Sequence, residues 1–359
     1  MFLKNISINQ FKSHSLANYH FSNGVNCFSG NNGAGKTNLL DAIYCLLNGR
    51  PYFQSTDNLC VQQGETYYVL KGDLELTQEM GRMMVSFQMG KRKAIKYNDE
   101  TVGNLGNYFG KHPTVVIAPN DVEIINGESE QRRRFFDYML SVVDADYLKH
   151  LLLYSKVLDA RNKQLKLFLE KDSYDAIVMQ YYDETLERHG TYIFEVRQRA
   201  TVVFEPFFNN TYAQIAGKIE APVFTYASQL HGSDFKAGFT NTMAKDRILG
   251  RTGFGIHRDD WIFDLHGMPL KKTGSQGQIK SFLIALKLAM YNFILEKRAI
   301  RPVLLLDDIF EKIDSERMQH LVEIICQEGM GQVFITHTNK QRVEEYFEGR
   351  REVRFFELV

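Results

Sequence analysis

GNNGAGKT, residues 30–37, decides how the rest of the chain is read. Gly30, Gly33 and Gly35 allow backbone bends that turn successive N–H groups inward toward phosphate oxygens. A helix starting after them presents its positive end to the same anion. Asn31, Asn32, Ala34 and Asn38 complete the expected nucleotide-binding loop. Lys36 can reach the β and γ phosphates of a nucleoside triphosphate, and the Thr37 hydroxyl can ligate Mg2+. The flanks agree with this reading. Val25-Asn26-Cys27-Phe28 leads in as a short strand, Leu39, Ile43, Leu46 and Leu47 follow at helical spacing, and Asn48-Gly49 is a stop signal. An ordinary glycine turn is the alternative.

Composition narrows the setting. The 359 residues suffice for two or three packed units, the 43 basic and 43 acidic side chains cancel, and 44% of the residues are apolar. Neutrality neither supports nor excludes a nucleic-acid partner, because only the surface facing phosphate must be basic. Cys27, Cys45, Cys60 and Cys326 lack metal-ligand spacing and read as small buried side chains. The amino end has no signal-peptide pattern, and no uninterrupted apolar run approaches about eighteen residues. A cytoplasmic protein without a membrane partner is expected.

Outward from the loop, residues 2–29 alternate in polarity and read as two strands joined by turns, with Asn23-Gly24 as punctuation. YYVLKG, VSFQMG and AIKYN predict a small antiparallel sheet within 66–118. From 130 to 216 the texture is helical, with Leu151, Tyr154, Leu158, Leu165 and Phe168 on one face, and Pro206 predicted to kink or end the later helix. GKIEAPVF is expected to return toward the sheet. WIFDL, a turn at His266-Gly267, and a helix through Phe282, Leu286 and Phe293 follow. The expected division is a nucleotide core of residues 1–128 and 245–359 with a helical lobe of 129–244.

Two further stretches carry chemistry. PVLLLDD is a buried strand that ends in Asp307 and Asp308. Buried carboxylates need compensation, so Asp307 is expected to hold Mg2+ and Asp308 to orient or deprotonate an attacking water. The second stretch, TGSQGQIKSFLIALKLA, sets Ser275, Gly277 and Gln278 at a helix start, where hydroxyl and amides can bind phosphate. A second phosphate-binding helix end is redundant in one pocket. It makes sense in a head-to-tail dimer in which this loop of one copy covers the γ phosphate held by the other; a simple helix cap is the alternative.

Together these segments resemble the ATP-binding-cassette (ABC) fold and, within it, the RecF family, related to the heads of structural-maintenance-of-chromosomes (SMC) proteins. GNNGAGKTNLLDAI, PNDVEIINGESEQRRRFFD, YSKVLDARNKQL, GRTGFGIHRDD, GSQGQIKSFLIALKLA and PVLLLDDIFEKID occur in the family's order. The resemblance implies an α/β fold: an ABC-type P-loop ATPase with an attached antiparallel sheet and a helical lobe. It carries Lys36 and Thr37 to ATP and metal binding, Ser275 through Gln278 to the signature loop, and Asp307 and Asp308 to the catalytic acidic strand. Asp314 is carried to the loop that crosses the dimer interface, and His337 matches the switch histidine of the wider superfamily. No glutamine fits the usual loop after TVVIAP; Asn120 or Asp121 occupies that neighbourhood.

The resemblance also implies a weak ATPase with an ATP-dependent homodimer. DNA, single-stranded, double-stranded or at their junctions, is the implied partner, with RecO and RecR as mediators of RecA loading at gaps. Lys91, Arg92, Lys93 and Lys96 form the best local basic cluster for phosphate contacts, while Arg132, Arg133, Arg134, Arg161 and Arg258 are equally readable as internal ion pairs. The rival readings are a transporter-type ABC ATPase subunit and a nucleotide-stabilised DNA scaffold whose hydrolysis does no mechanical work.

Overall fold

The computed structural model describes residues 1–359 except 77–78, 104, 218–219, 221, 310–314, 351–352 and 359. The chain folds as two compact units, Met1–Asp121 with Thr211–Gly217 and Gln276–Val359, and Val122–Asn210 with Lys218–Ser275.

The first unit opens with β1 (Phe2–Leu3), β2 (Asn5–Phe11), β3 (His14–His20), β4 (Val25–Ser29) and α1 (Lys36–Asn48), followed by β5 (Tyr67–Leu76), β6 (Glu79–Gln88), β7 (Ala94–Tyr97), β8 (Glu100–Thr101), α2 (Leu105–Tyr108) and β9 (Thr114–Ile117). Strands β3-β2-β5-β6-β7-β8 make an antiparallel sheet, with β1 also on β5. Ile8, Leu70, Val85 and Ile95 lie in one cross-strand row and are all buried against the core that contains α1. Period-two alternation therefore leaves Lys71 and Lys96 on the other face. Asn23-Gly24 does not close a hairpin. It lies between β3 and β4, which belong to different sheets. Gly49 ends α1 with φ 72° and its N–H on Cys45 O, as the stop signal predicts.

The second unit holds α3 (Glu123–Asn126), α4 (Ser129–Val143), α5 (Ala145–Glu170), most of α6 (Ala176–Ala216), β10 (Pro222–Ala227), α7 (Phe235–Leu249), β11 (Asp260–Leu265), β12 (Met268–Pro269) and α8 (Leu270–Thr273). Pro206 does not end α6, which runs 41 residues through it. The bond Pro206 cannot donate belongs to the carbonyl of Val202, a residue on an exposed face where water can replace it. The β10 strand, which takes up Pro222–Phe224 of GKIEAPVF, pairs with β11 in a separate three-stranded sheet rather than joining the core sheet; residues 218–219 and 221 of that stretch lie outside the described residues. The β11–β12 turn is the expected one, with φ 53° at His266 and 75° at Gly267.

The last part of the first unit is α9 (Gln276–Arg298), β13 (Val303–Asp307), α10 (Ser315–Cys326), β14 (Val333–His337), α11 (Lys340–Phe347) and β15 (Val353–Glu357). Strands β15-β4-β14-β13-β9 form a parallel sheet. Every residue of β4, β9, β13 and β14 is buried, as expected of parallel strands covered on both faces. Gln332, fully buried, bonds Leu3 N, Leu3 O and Ser22 O, tying the two sheets together. Helix α9 is long and apolar enough by composition to cross a bilayer, but 72% of its most apolar window is buried inside the protein.

The division between units differs from the expected boundaries at 128 and 245. Residues 245–275 stay with the helical unit because Arg161 grips Asp246 and Thr252, Arg197 grips Asp259, and β11 pairs with β10. Residues 122–127 join it through Arg132, whose guanidinium donates to the carbonyls of Ile124 and Gly127.

Candidate functional site

β4 ends at Ser29, the chain turns through residues 30–35, and α1 begins at Lys36. The turn needs glycine at Gly33 and Gly35, whose φ values are 90° and 88°. At Gly35 there is also no room for a side chain, since a Cβ would lie 2.6 Å from Ser13 Oγ and 3.1 Å from the His14 ring. Lys36 is buried to 5% exposure and folds back over the loop, its Nζ donating to Gly30 O at 2.8 Å and Asn31 O at 2.9 Å. Asn31 O also accepts from Ala34 N, which closes the turn.

A carboxylate cluster lies beside Thr37. Its Oγ1 is 2.9 and 3.0 Å from the two carboxylate oxygens of Asp307, and Thr336 Oγ1 donates to Asp307 Oδ1 at 2.8 Å. The same Thr336 oxygen accepts from Asp308 N at 3.0 Å, so one hydroxyl sets both acids. Asp307 is 4% exposed, and burial pushes its carboxyl above the usual carboxylate range while the Thr336 and Thr37 hydroxyls pull it back. Among the described residues no Lys or Arg forms an ion pair with Asp307, so the cluster is a buried acid held by neutral donors. That donor set fits a divalent cation between Thr37 and Asp307. Asp308 has φ 44°, a left-handed conformation that a non-glycine residue adopts at a cost. It lines a cavity of about 160 Å³ together with Asn32, Gly33, Gly35, Lys36, Thr37 and Asn38. Lys36, Thr37, Asp307 and Asp308 are thus brought together.

The other expected residues lie elsewhere. Gly277 and Gln278 are on the first turn of α9, outside that cavity, and Ser275 is an exposed residue directly before it. The start of α9 is fixed by Lys280 Nζ on Ile309 O at 3.3 Å and by Arg317 on Ser281 Oγ at 2.7 Å. His337 ends β14 opposite Ser29 and is 3% exposed; its Nδ1 accepts from Asn339 N at 3.2 Å. It does not line the cavity. Asp314 lies outside the described residues. Asp121 is drawn into a polar knot, bonded by Tyr52 OH and Ala118 N and paired with Lys287 at 3.0 Å, while Asn120 is exposed.

The arginines divide. Arg132, Arg161 and Arg197 are buried and paired with Asp260, with Asp183 and Asp246, and with Asp137 and Asp259. Arg133 donates to Ser129 Oγ and Asp259 O, whereas Arg134 and Arg258 are exposed. In the β6–β7 turn Lys93 is tied to Asp57 at 2.7 Å, leaving Lys91 and Arg92 exposed. Sequence reading missed Thr336, and also Ser13 and His14, which meet Asn38 Nδ2 at 2.8 Å and Gly35 O at 3.1 Å. Nothing in their spacing signals either contact.

The family described as RecF/RecN/SMC N terminal domain matches residues 2–355. The chain is 38% identical over 344 residues to the DNA replication and repair protein RecF of Flavobacterium johnsoniae, covering 96% of both chains. This chain belongs to the RecF family. A second RecF, from Parabacteroides distasonis, is 35% identical over 96% of this chain and 93% of its own. Among solved structures, the recombination mediator protein RecF with ATP, of the RecFOR pathway, has a TM-score of 0.86 at 28% identity, covering 94% of this chain and 92% of that one. A Smc head domain from Pyrococcus furiosus, at 12% identity and a TM-score of 0.56 over 100% of this chain and 94% of that one, shares the fold alone. The RecF fold here is accordingly the ABC-type P-loop ATPase architecture with its antiparallel sheet and helical lobe, in a family of DNA replication and repair proteins.

Proposed function

We propose that this RecF-family chain is an ATP-dependent DNA-binding switch. The observation that carries the reading is the convergence of Lys36, Thr37 and Asp308 on one cavity of about 160 Å³ at the ends of β4 and β13, with Asp307 bonded to Thr37 beside it. Lys36 and the N–H groups of Gly33 through Lys36 hold the β and γ phosphates of ATP, with the positive end of α1 behind them. Thr37 and Asp307 would hold Mg2+, which would supply neutralisation of the phosphate charge. Asp308 orients the attacking water and accepts its proton. Aspartate reaches about one methylene less far than the glutamate usual at that position, which suits slow turnover.

Ser275, Gly277 and Gln278 act on the nucleotide of a second copy. With the α9 dipole behind them they cover its γ phosphate, so two ATP molecules close one head-to-tail interface and their hydrolysis opens it. DNA is held by phosphate contacts; Lys91 and Arg92, exposed on the β6–β7 turn, are the first residues to assign to it. The named pathway of the ATP-bound relative supports RecO- and RecR-type mediators as partners at gapped DNA. Asp308→Asn tests the coupling: hydrolysis falls at least about a hundredfold while the ATP-bound dimer and its DNA persist longer than in the unsubstituted protein. Unchanged DNA release in that variant would leave a static scaffold as the better reading.

A further inference from the structure

An open groove lies away from the nucleotide site, between α11 and β15. It measures about 610 Å³ and is lined by Phe347, Val353 and Phe355 below Glu344, Glu345 and Glu348. Its floor is one face of β15, because Val353 and Phe355 are two apart, and β15 is the edge strand of the parallel sheet. Edge strands present unpaired backbone N–H and C=O groups. Arg354 points away by alternation and is exposed, while Glu357, also exposed, continues the face of Val353 and Phe355.

The groove already holds one cation from its own chain. Lys340 Nζ lies 5.5 Å from the centroid of the Phe355 ring and 3.6 Å from Glu344 Oε1. Its aliphatic stem and charged end thus use both the aromatic floor and the acidic rim. Glu345 and Glu348 are exposed, and among the described residues neither has an ion-pair partner. Two more cations of the same kind would complete the rim.

We infer that this groove docks an extended peptide segment of a partner protein that adds as a strand to β15 and carries Lys or Arg at every second position. Side chains on one face of such a strand repeat every two residues, or about 7 Å. Their stems lie along Val353 and Phe355 and their charges meet Glu345 and Glu348. Backbone bonds to β15 supply affinity, and the acid rim selects cationic sequences.

The test is fluorescence anisotropy of the full-length protein with a labelled Lys-Val-Lys-Val-Lys-Val-Lys peptide. Saturable binding below about 1 mM is expected, weakened about tenfold by the E345K/E348K double substitution and by added salt. The Glu-for-Lys peptide and a peptide N-methylated at alternate amides should not bind. Both substituted positions are exposed, so unchanged thermal melting of the variant separates docking from folding. Equal binding by E345K/E348K, or by the N-methylated peptide, would overturn the inference. So would a self-association abolished by K91E/R92E, which would assign the groove to the basic turn of a second copy.

Discussion

At the scale of single residues, Thr336 sets the geometry of the acid pair. Its hydroxyl donates to Asp307 and accepts from the backbone of Asp308. Thr336→Val keeps the shape and removes both bonds, leaving a buried carboxylate one donor short. A hydrogen bond to a charged group contributes about 1.5–3 kcal/mol. The Mg2+ concentration for half-maximal ATPase should therefore rise about tenfold, and Thr336→Ser should restore it; unchanged Mg2+ dependence would show that the hydroxyl does not set Asp307. His112 gives a second prediction. It is 2% exposed, its ring nitrogens have no hydrogen-bond partner among the described residues, and burial pushes its pKa down to about 4. The unfolded chain takes up a proton near pH 6.5, so between there and pH 4 the unfolded state binds more protons and stability falls as pH is lowered. The slope from this residue is about 1.4 kcal/mol per pH unit. His112→Phe should flatten urea-measured stability across that window, with little change above pH 7.

At the scale of elements, what was legible in the sequence was whatever depends on local pattern. The strand–loop–helix at 25–48, the buried strands ending at Asp307 and His337, and the His266-Gly267 turn each follow from composition within a few residues. What was not legible depends on distant partners. The apolar series of α5 predicts Leu158 inside, yet the fully buried positions are Tyr147, Tyr154, Arg161 and Leu165. Arg161 is at home there only because Asp183, Asp246 and Thr252 arrive from elsewhere in the chain. That α6 does not end at Pro206 has a related reason, since solvent at the exposed Val202 carbonyl lets a helix continue through proline. The contacts of Ser13 and His14 with the loop were not legible because sheet packing sets them. Those contacts make Gly35→Ala a test of the loop: a Cβ at φ 88° beside Ser13 should cost about 1–3 kcal/mol and lower nucleotide affinity at least about tenfold, read by anisotropy of a labelled ATP analogue. Unaltered affinity would show that the β2–β3 turn does not brace the loop.

At the scale of the whole molecule, the proposed switch depends on association. Gly277 and Gln278, on the first turn of α9, do not line the cavity that contains Lys36 and Asp308, so in the proposed switch they and Ser275 before them serve a nucleotide on another copy. The γ phosphate then acts as a removable bridge between two molecules, and DNA residence follows its lifetime. The most direct measurement is solution mass and DNA-bound fraction, taken together in ATP, in ADP and without nucleotide, for the protein and for Ser275→Arg. Doubling of mass and DNA retention only in ATP, with both lost in Ser275→Arg while ATP binding is kept, is the predicted result. The same mass and the same DNA occupancy in all three nucleotide states would contradict it.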